Sequence, residues 1–158
     1  MGKQARKIVS VDLKDLLQDL NKAYCDEWLA YYAYWYMAKT VTGKGYEDIG
    51  EFLEKIAKDE LEHAGELAER ILELGGLPLD NPIELEKNAN APYPKPPKAT
   101  SDYNKIIKTV LGAEAGAIDV YNKIAQKTQG KDHATYQLIC HILDEEIKHE
   151  EMFENLLE

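Results

Sequence analysis

The sequence predicts an all-α protein, a four-helix bundle in which a long connection separates the second helix from the third. Leu, Ala, Glu and Lys dominate the composition, all good helix formers. Apolar residues recur at spacings of three and four rather than two. Glycine turns at Thr42-Gly43-Lys44-Gly45, Gly75-Gly76 and Gly130-Lys131-Asp132 divide the chain into segments of helical length. With 158 residues, 44% hydrophobic and 30% charged, one domain can bury a full core. We expect a flexible arm over residues 1–9 and the bundle over 10–158.

The first long helix is expected to start near Ser10 or Asp12, either of which can cap it, and to run to about Lys39. Its inward stripe reads Leu13, Leu16, Leu20, Tyr24, Glu27, Tyr31, Tyr34, Ala38. The second spans about Tyr46 to Leu74, with stripe Ile49, Leu53, Ile56, Glu60, His63, Leu67, Ile71, Leu74, and stops at Gly75-Gly76. A Pro- and Asn-containing connection follows from Leu77 to Ala99, with room for a short helix over Pro82 to Lys87. The third helix, capped near Thr100 or Ser101, runs to about Thr128 with stripe Ile107, Val110, Glu114, Ala117, Tyr121, Ile124. The fourth covers about His133 to Leu157, with stripe Ile139, Ile142, Glu146, His149, Phe153, Leu156.

Loop length sets the topology. A helix of about 27 residues is ~40 Å long, and at least ~12 extended residues are needed to run back along it. The 23 residues of Leu77 to Ala99 suffice, so the second and third helices can run parallel, while the short turns make the other sequential pairs antiparallel.

Each apolar stripe carries one polar break. Glu60-Leu61-Glu62-His63 places a carboxylate and an imidazole on one helix face, and Glu146-Ile147-Lys148-His149 repeats the spacing. Glu27 and Glu114 interrupt the other two stripes. Each break lies about 13 to 15 residues into its helix, so at 1.5 Å per residue all four share one level. Four carboxylates on core faces need compensating charge, and no Lys or Arg lies on the stripes to supply it. Two divalent cations would balance them. A Glu from each of two helices plus Glu-x-x-His from each of the others is the donor set of di-iron and di-manganese carboxylate bundles. Oxygen-rich ligation with one imidazole per metal suits Fe²⁺ or Mn²⁺ and, lacking thiolate, not structural zinc. A single Glu-x-x-His would carry little weight on its own.

Tyr34 follows Glu27 by seven residues on the same face, as Tyr121 follows Glu114. Either phenol could hydrogen-bond a ligand or supply an electron; the plainer reading, stronger for Tyr121, is a buried tyrosine with a satisfied hydroxyl. The run Tyr31, Tyr32, Tyr34, Trp35, Tyr36 circles its helix, so part of it faces outward and suggests a subunit contact. Glu51, Glu54, Glu62, Glu66, Glu69 and Glu73 lie off the second stripe, either as a solvated face or as an iron-gathering one. His133 and His141 are off the ligand register and read as structural.

Several classes are excluded. The weakly polar run Trp28 to Lys39 is too short for a membrane span and the N-terminus lacks an apolar signal core, so a cytoplasmic protein is expected. Cys25 and Cys140 have no CxxC spacing and read as structural thiols. A net charge of −10 makes DNA binding unlikely as a function class, and the arm's Lys3, Arg6 and Lys7 read as a solvated tail.

The sequence resembles the ferritin-like superfamily from about Ser10 onward. It looks most like the Dps-like miniferritins that carry a bacterioferritin-type di-iron site within each subunit. The resemblance rests on Tyr31-Tyr32 to Gly43 after Glu27, on Leu72-Glu73-Leu74-Gly75-Gly76-Leu77-Pro78, on Leu111-Gly112-Ala113-Glu114, and on Ile142-Leu143-Asp144-Glu145-Glu146 with His149-Glu150. It implies a hollow homo-oligomeric shell, a dodecamer. It also implies a ferroxidase that oxidises Fe²⁺ with H2O2 or O2, stores the ferric product and protects against oxidative stress. The ligands it implies are Glu27, Glu60, His63, Glu114, Glu146 and His149, holding two iron ions per subunit, with manganese as the other metal of this donor set. Which glutamates bridge is left open.

The chain departs from that pattern where those relatives carry a cysteine pair on the third helix, here Gly116 and Ala125. Leu61 stands where bacterioferritin has its haem methionine, so no haem is expected, and the nine residues after His149 leave no fifth helix. Two alternatives compete with the ferroxidase: a di-manganese or di-iron peroxidase or catalase without storage, and a non-catalytic helical interaction protein.

Overall fold

The computed structural model describes residues 3–157, and among them the ordered elements are helical, with no strand. Helix α1 (Lys3–Lys7) is a single short turn with no buried side chain. The N-terminal stretch, expected to be a flexible arm, is thus helical over those residues and fastened at its end. There the Ser10 N–H donates to the Lys131 carbonyl at 2.9 Å, and Val9 and Val11 pack on the core.

Helix α2 (Leu13–Thr40) is capped by Asp12, whose carboxylate accepts from the Asp15 N–H at 2.8 Å. It gives way to a turn in which Gly43 and Gly45 adopt φ of 108° and 80°. Helix α3 (Tyr46–Glu73) ends as expected at Gly75, with φ 90°, and at Gly76, whose N–H donates to the Ile71 carbonyl at 2.9 Å. A Cβ at Gly76 would stand 2.7 Å from the end of the Leu17 side chain, which would have to shift to admit a larger residue.

The crossover holds a 3-10 turn (Pro82–Glu84) and the one-turn helix α4 (Leu85–Asn88), close to the short helix anticipated over Pro82 to Lys87. It is strapped along α2. Asn21 bonds the Leu77 carbonyl and the Leu79 N–H, and the Asp26 carboxylate accepts from the Asn90 and Ala91 backbone.

Helix α5 (Tyr103–Thr128) is capped by Asp102, not by Thr100 or Ser101. Thr100 is engaged elsewhere, its hydroxyl 2.9 Å from that of Thr42 and its carbonyl accepting from the Thr42 N–H, which ties the α2–α3 turn to the end of the crossover. Helix α6 (His133–Glu154) is capped by Asp132 and stops at Asn155, short of the expected Leu157. Leu156, placed on the core stripe by periodicity, lies past that end and is 43% exposed.

Cross-helix hydrogen bonds fix the directions. Tyr34 meets Glu114 while Tyr121 meets Glu27, so α2 and α5 are antiparallel. His63 meets Glu145 while His149 meets Asp59, so α3 and α6 are antiparallel as well. Since the tight turn makes α2 antiparallel to α3, helices α3 and α5 run parallel, the crossover topology that the loop lengths predicted.

The core is split into two apolar plugs. One gathers Leu16, Leu20, Leu67, Ile71, Tyr121, Ile139 and Ile142; the other gathers Tyr34, Met37, Leu53, Ile56, Ile107, Val110 and Phe153, with Phe52 edge-on to Phe153 at 4.8 Å. The four polar breaks lie between them. Below the first plug Arg70, only 5% exposed, donates to both Asp132 oxygens at 3.0 Å and to the Thr135 hydroxyl at 2.8 Å. This buried ion pair lies off the apolar stripes and was not anticipated.

Candidate metal centre

The carboxylates Glu27 (α2), Glu60 (α3), Glu114 (α5) and Glu146 (α6), with His63 and His149, are all buried and converge between the two plugs. The six sequence-predicted residues are thus brought together without exception. Their donor atoms fall into two groups, each with all atoms within 4.8 Å of one another: Glu27, Glu60, His63, Glu146, and Glu60, Glu114, Glu146, His149. Glu60 and Glu146 belong to both. His63 Nδ1 lies 3.1 Å from Glu146, 3.6 Å from Glu27 and 3.7 Å from Glu60. His149 Nδ1 lies 3.4 Å from Glu60, 3.5 Å from Glu114 and 3.8 Å from Glu146.

One atom of each residue has no hydrogen-bond partner: Glu27 Oε2, Glu60 Oε1, His63 Nδ1, Glu114 Oε2, Glu146 Oε1 and His149 Nδ1. Buried polar atoms normally find partners, so six orphans facing one space form a donor set that could hold a cation. Oxygen donors with one imidazole per group fit Fe²⁺ or Mn²⁺.

Electrostatics agree. Burial, then the charges of Glu146, Glu27 and Glu114, hold the Glu60 carboxyl well above the usual range. Burial and Glu146 push Glu114 up to about 8. Burial likewise pushes Glu146 up, but the close imidazoles of His149 and His63 outweigh it and hold that carboxyl low. Burial disfavours the imidazolium of both histidines, yet their carboxylate partners raise them far above the ordinary histidine range. Without metal the cluster therefore neutralises itself with protons.

Side chains just outside the donors orient them. The Tyr34 hydroxyl donates to Glu114 at 2.6 Å, and the Tyr121 hydroxyl donates to Glu27. Tyr121 is buried with its hydroxyl satisfied, as the plainer reading has it, and the partner that satisfies it is a member of the cluster, as for Tyr34. Each histidine has its outer nitrogen against a carboxylate of the opposite helix, His63 Nε2 2.8 Å from Glu145 and His149 Nε2 3.3 Å from Asp59. Such pairing turns Nδ1 toward the cluster. Sequence reasoning missed both carboxylates. The signal was an acidic residue directly before each Glu-x-x-His, Asp59 before Glu60 and Glu145 before Glu146.

The remaining expectations fall outside the centre. Cys25 is buried and free, its thiol pushed up to about 11 by burial and then by Asp26, which keeps it protonated and inert. Among the off-stripe glutamates, Glu54 pairs with Lys39 and Lys58, and Glu73 with Arg70. His141 is exposed, 3.8 Å from both Glu66 and Glu145. Tyr32, Trp35 and Tyr36 face outward at 54%, 39% and 42% exposure. No helix among the described residues is long and apolar enough to cross a membrane.

Comparison with known proteins gives a consistent picture. Residues 17–158 match the family model of the ferritin-like domain. A DNA protection during starvation protein of Pyrococcus furiosus is 37% identical over 99% of this chain and 86% of its own length. A bacterial non-heme ferritin of Staphylococcus haemolyticus is 31% identical over 89% of this chain and 80% of its own. Among solved structures, a dodecameric thioferritin, the bacterioferritin-related protein of Bacteroides fragilis, superposes with a TM-score of 0.94 at 36% identity, covering 99% of this chain and 93% of that one. Dps from Thermosynechococcus elongatus, at 20% identity, shares the fold with a TM-score of 0.85 over 92% of each chain.

Proposed function

This chain belongs to the ferritin-like domain family, and on that premise we propose that it is a ferroxidase that stores the iron it oxidises. The observation that carries the reading is the set of six orphaned, buried donor atoms contributed by four helices. Two Fe²⁺ ions would be held by the two donor groups, one by Glu27, Glu60, His63 and Glu146 and the other by Glu60, Glu114, Glu146 and His149, with Glu60 and Glu146 available to both. Four carboxylates then offset the charge of the two cations. Manganese fits the same donors.

The reaction takes one electron from each Fe²⁺. H2O2 accepts the two electrons with two protons and leaves as two waters, or O2 serves as oxidant. The chain's own part is to hold both substrate ions among buried side chains, orient Glu114 and Glu27 through the tyrosine hydroxyls, and fix the imidazoles through Glu145 and Asp59. Tyr34 and Tyr121 are held protonated, by burial first and then by the neighbouring glutamates, so both act as donors. Ferric product passes to the interior of a homo-oligomeric shell, a dodecamer by analogy with the B. fragilis protein. The outward Tyr32, Trp35 and Tyr36 supply apolar surface for subunit contact. The protein works in the cytosol, where its two free thiols stay reduced.

Rapid mixing of the Fe²⁺-loaded protein with H2O2 tests the reading. Ferric absorbance should rise quickly in the wild type and be abolished in Glu60→Ala; equal rates in the two would refute it. Manganese recovered with oxygen evolution would instead favour peroxide disposal without storage.

A further inference from the structure

A cavity of about 250 Å³ lies between α2 and α5 beneath the crossover. Its lining runs from the exposed Asn90, Ala91 and Pro92 to the buried carboxylates Glu27, Glu60, Glu114 and Glu146, so it joins the surface to the metal centre. Leu29, Ala30, Ala113, Ala117 and Val120 make its walls mostly apolar. Asp26, the acidic residue that lines the mouth itself, is occupied by three hydrogen bonds from Asn90 and Ala91, and the adjoining surface depression carries Asp19 and Asp119 together with Lys123 and Lys127 in its lining.

Two glycines keep this space open. Gly112 and Gly116 lie one turn apart on the cavity side of α5, and a Cβ at either would meet no heavy atom within 4 Å. Nothing in the packing demands them, and glycine inside a helix costs stability relative to alanine. The buried carboxylate atoms without partners lie at the inner end, so the opening leads to a binding centre and not to a packing defect.

The opposite face differs in kind. Neither His63 nor His149 lines the cavity; around them stand the partly exposed Asp59, Glu66 and Glu145, with the exposed Glu62 nearby in sequence. That acidic face attracts cations, while an apolar passage admits small uncharged molecules at lower desolvation cost.

We propose that the cavity under the crossover is the passage by which a small uncharged oxidant, hydrogen peroxide or dioxygen, reaches the di-metal centre, separately from Fe²⁺, and that Gly112 and Gly116 set its bore. The inference rests on the ferroxidase reading above. Gly116→Leu and Gly112→Leu place a side chain in the opening without touching a metal-binding residue. With circular dichroism confirming the fold, anaerobic Fe²⁺ binding should keep its stoichiometry and affinity, while ferric formation on mixing with H2O2, and separately with O2, slows at least tenfold. A wider bore in Val120→Ala should speed turnover of tert-butyl hydroperoxide relative to H2O2. Unchanged oxidation rates in both plugged variants, or Fe²⁺ binding impaired as much as oxidation, would overturn the passage alone. A wild type that forms no ferric iron would overturn the ferroxidase reading and the passage with it.

Discussion

Two buried polar clusters sit in this bundle, and they are built on opposite plans. Around Arg70 every strong donor and acceptor has its partner within the chain: the guanidinium meets Asp132 twice, Thr135 and Glu73. At the level of Glu60 six donor atoms from six residues have none. The first cluster is closed and joins α3 to α6. The second is satisfied only when something positive joins it. Burial and charge alone would not separate the two; the distinction is whether the partners are already present.

Breaking the closed cluster should have the largest effect on folding. Arg70→Met leaves the buried Asp132 carboxylate without its cation, with only the Thr135 hydrogen bonds remaining, a loss of about 3–5 kcal/mol. At roughly 2–4 °C per kcal/mol for a chain of this size, melting should fall by roughly 6–20 °C, measured by calorimetry. Glu60→Gln in metal-free protein should move melting by less than about 1 kcal/mol, because that carboxyl is already held neutral by burial and its neighbours. Equal losses in the two variants would erase the contrast.

Metal should act on the open cluster only. Anaerobic Fe²⁺ at a hundred times its dissociation constant should stabilise the wild type by about 2.7 kcal/mol, a gain that chelator reverses and Glu60→Gln lacks. Arg70→Met should keep that gain on its lower baseline. Calorimetry with and without chelator decides it.

Asp59→Asn and Glu145→Gln probe the carboxylates behind the histidines. Each should weaken metal binding by about 10- to 100-fold in anaerobic titration, with the fold intact. Glu145 holds its histidine at 2.8 Å against 3.3 Å for Asp59, so its loss should be the larger.

The smallest effect is the response to pH, whose part near neutrality belongs to the raised groups of the open cluster, while Glu146 and Asp132, both held low, respond only in acid. Glu114 is raised to about 8 in the folded, metal-free chain, so that state holds a proton which the unfolded chain gives up near the ordinary carboxylate range. Its contribution therefore falls as pH rises from about 5 to 8, and the raised histidines act in the same direction above the ordinary histidine range. Burial pushes Asp132 up, but its bonds from Thr135 and Arg70 outweigh that and hold it low. Its contribution is complete above the ordinary carboxylate range and is lost only as pH falls through its depressed value. Chelated protein should thus melt lower at pH 8 than at pH 6.5, while anaerobic Co²⁺ binds more tightly at pH 8 as fewer protons need displacing. No change in either quantity would mean that the cluster does not hold those protons.

The sequence made the open cluster easier to read than the closed one. Glu27, Glu60, Glu114 and Glu146 each break an apolar stripe, and helical periodicity converts chain position into depth. Arg70 breaks nothing: it sits beside its stripe, and its long side chain reaches partners 62 and 65 residues away, a pairing that no local pattern encodes. The crossover direction followed from chain length, but its strapping through Asn21 and Asp26 did not, since each bond is set by tertiary placement. Asp102 was missed as a cap because three adjacent residues could serve, and Thr100 was already bonded to Thr42. Leu156 kept the apolar period after the helix had ended, so periodicity overran the true end.

The reciprocal hydrogen bonds have a further consequence. The α2–α3 hairpin carries Glu27, Tyr34 and Asp59-Glu60-x-x-His63; the α5–α6 hairpin carries Glu114, Tyr121 and Glu145-Glu146-x-x-His149, nearly the same spacings written twice. Each bond that orients a donor leaves one hairpin for the other: Tyr34 to Glu114, Tyr121 to Glu27, Glu145 to His63, Asp59 to His149. Either half alone is an incomplete word, with its carboxylates and imidazole addressed to a reader on the other side. The reciprocal bonds relate the two positions by an approximate internal twofold rotation, so any order in which they fill is decided by the few places where the copies disagree.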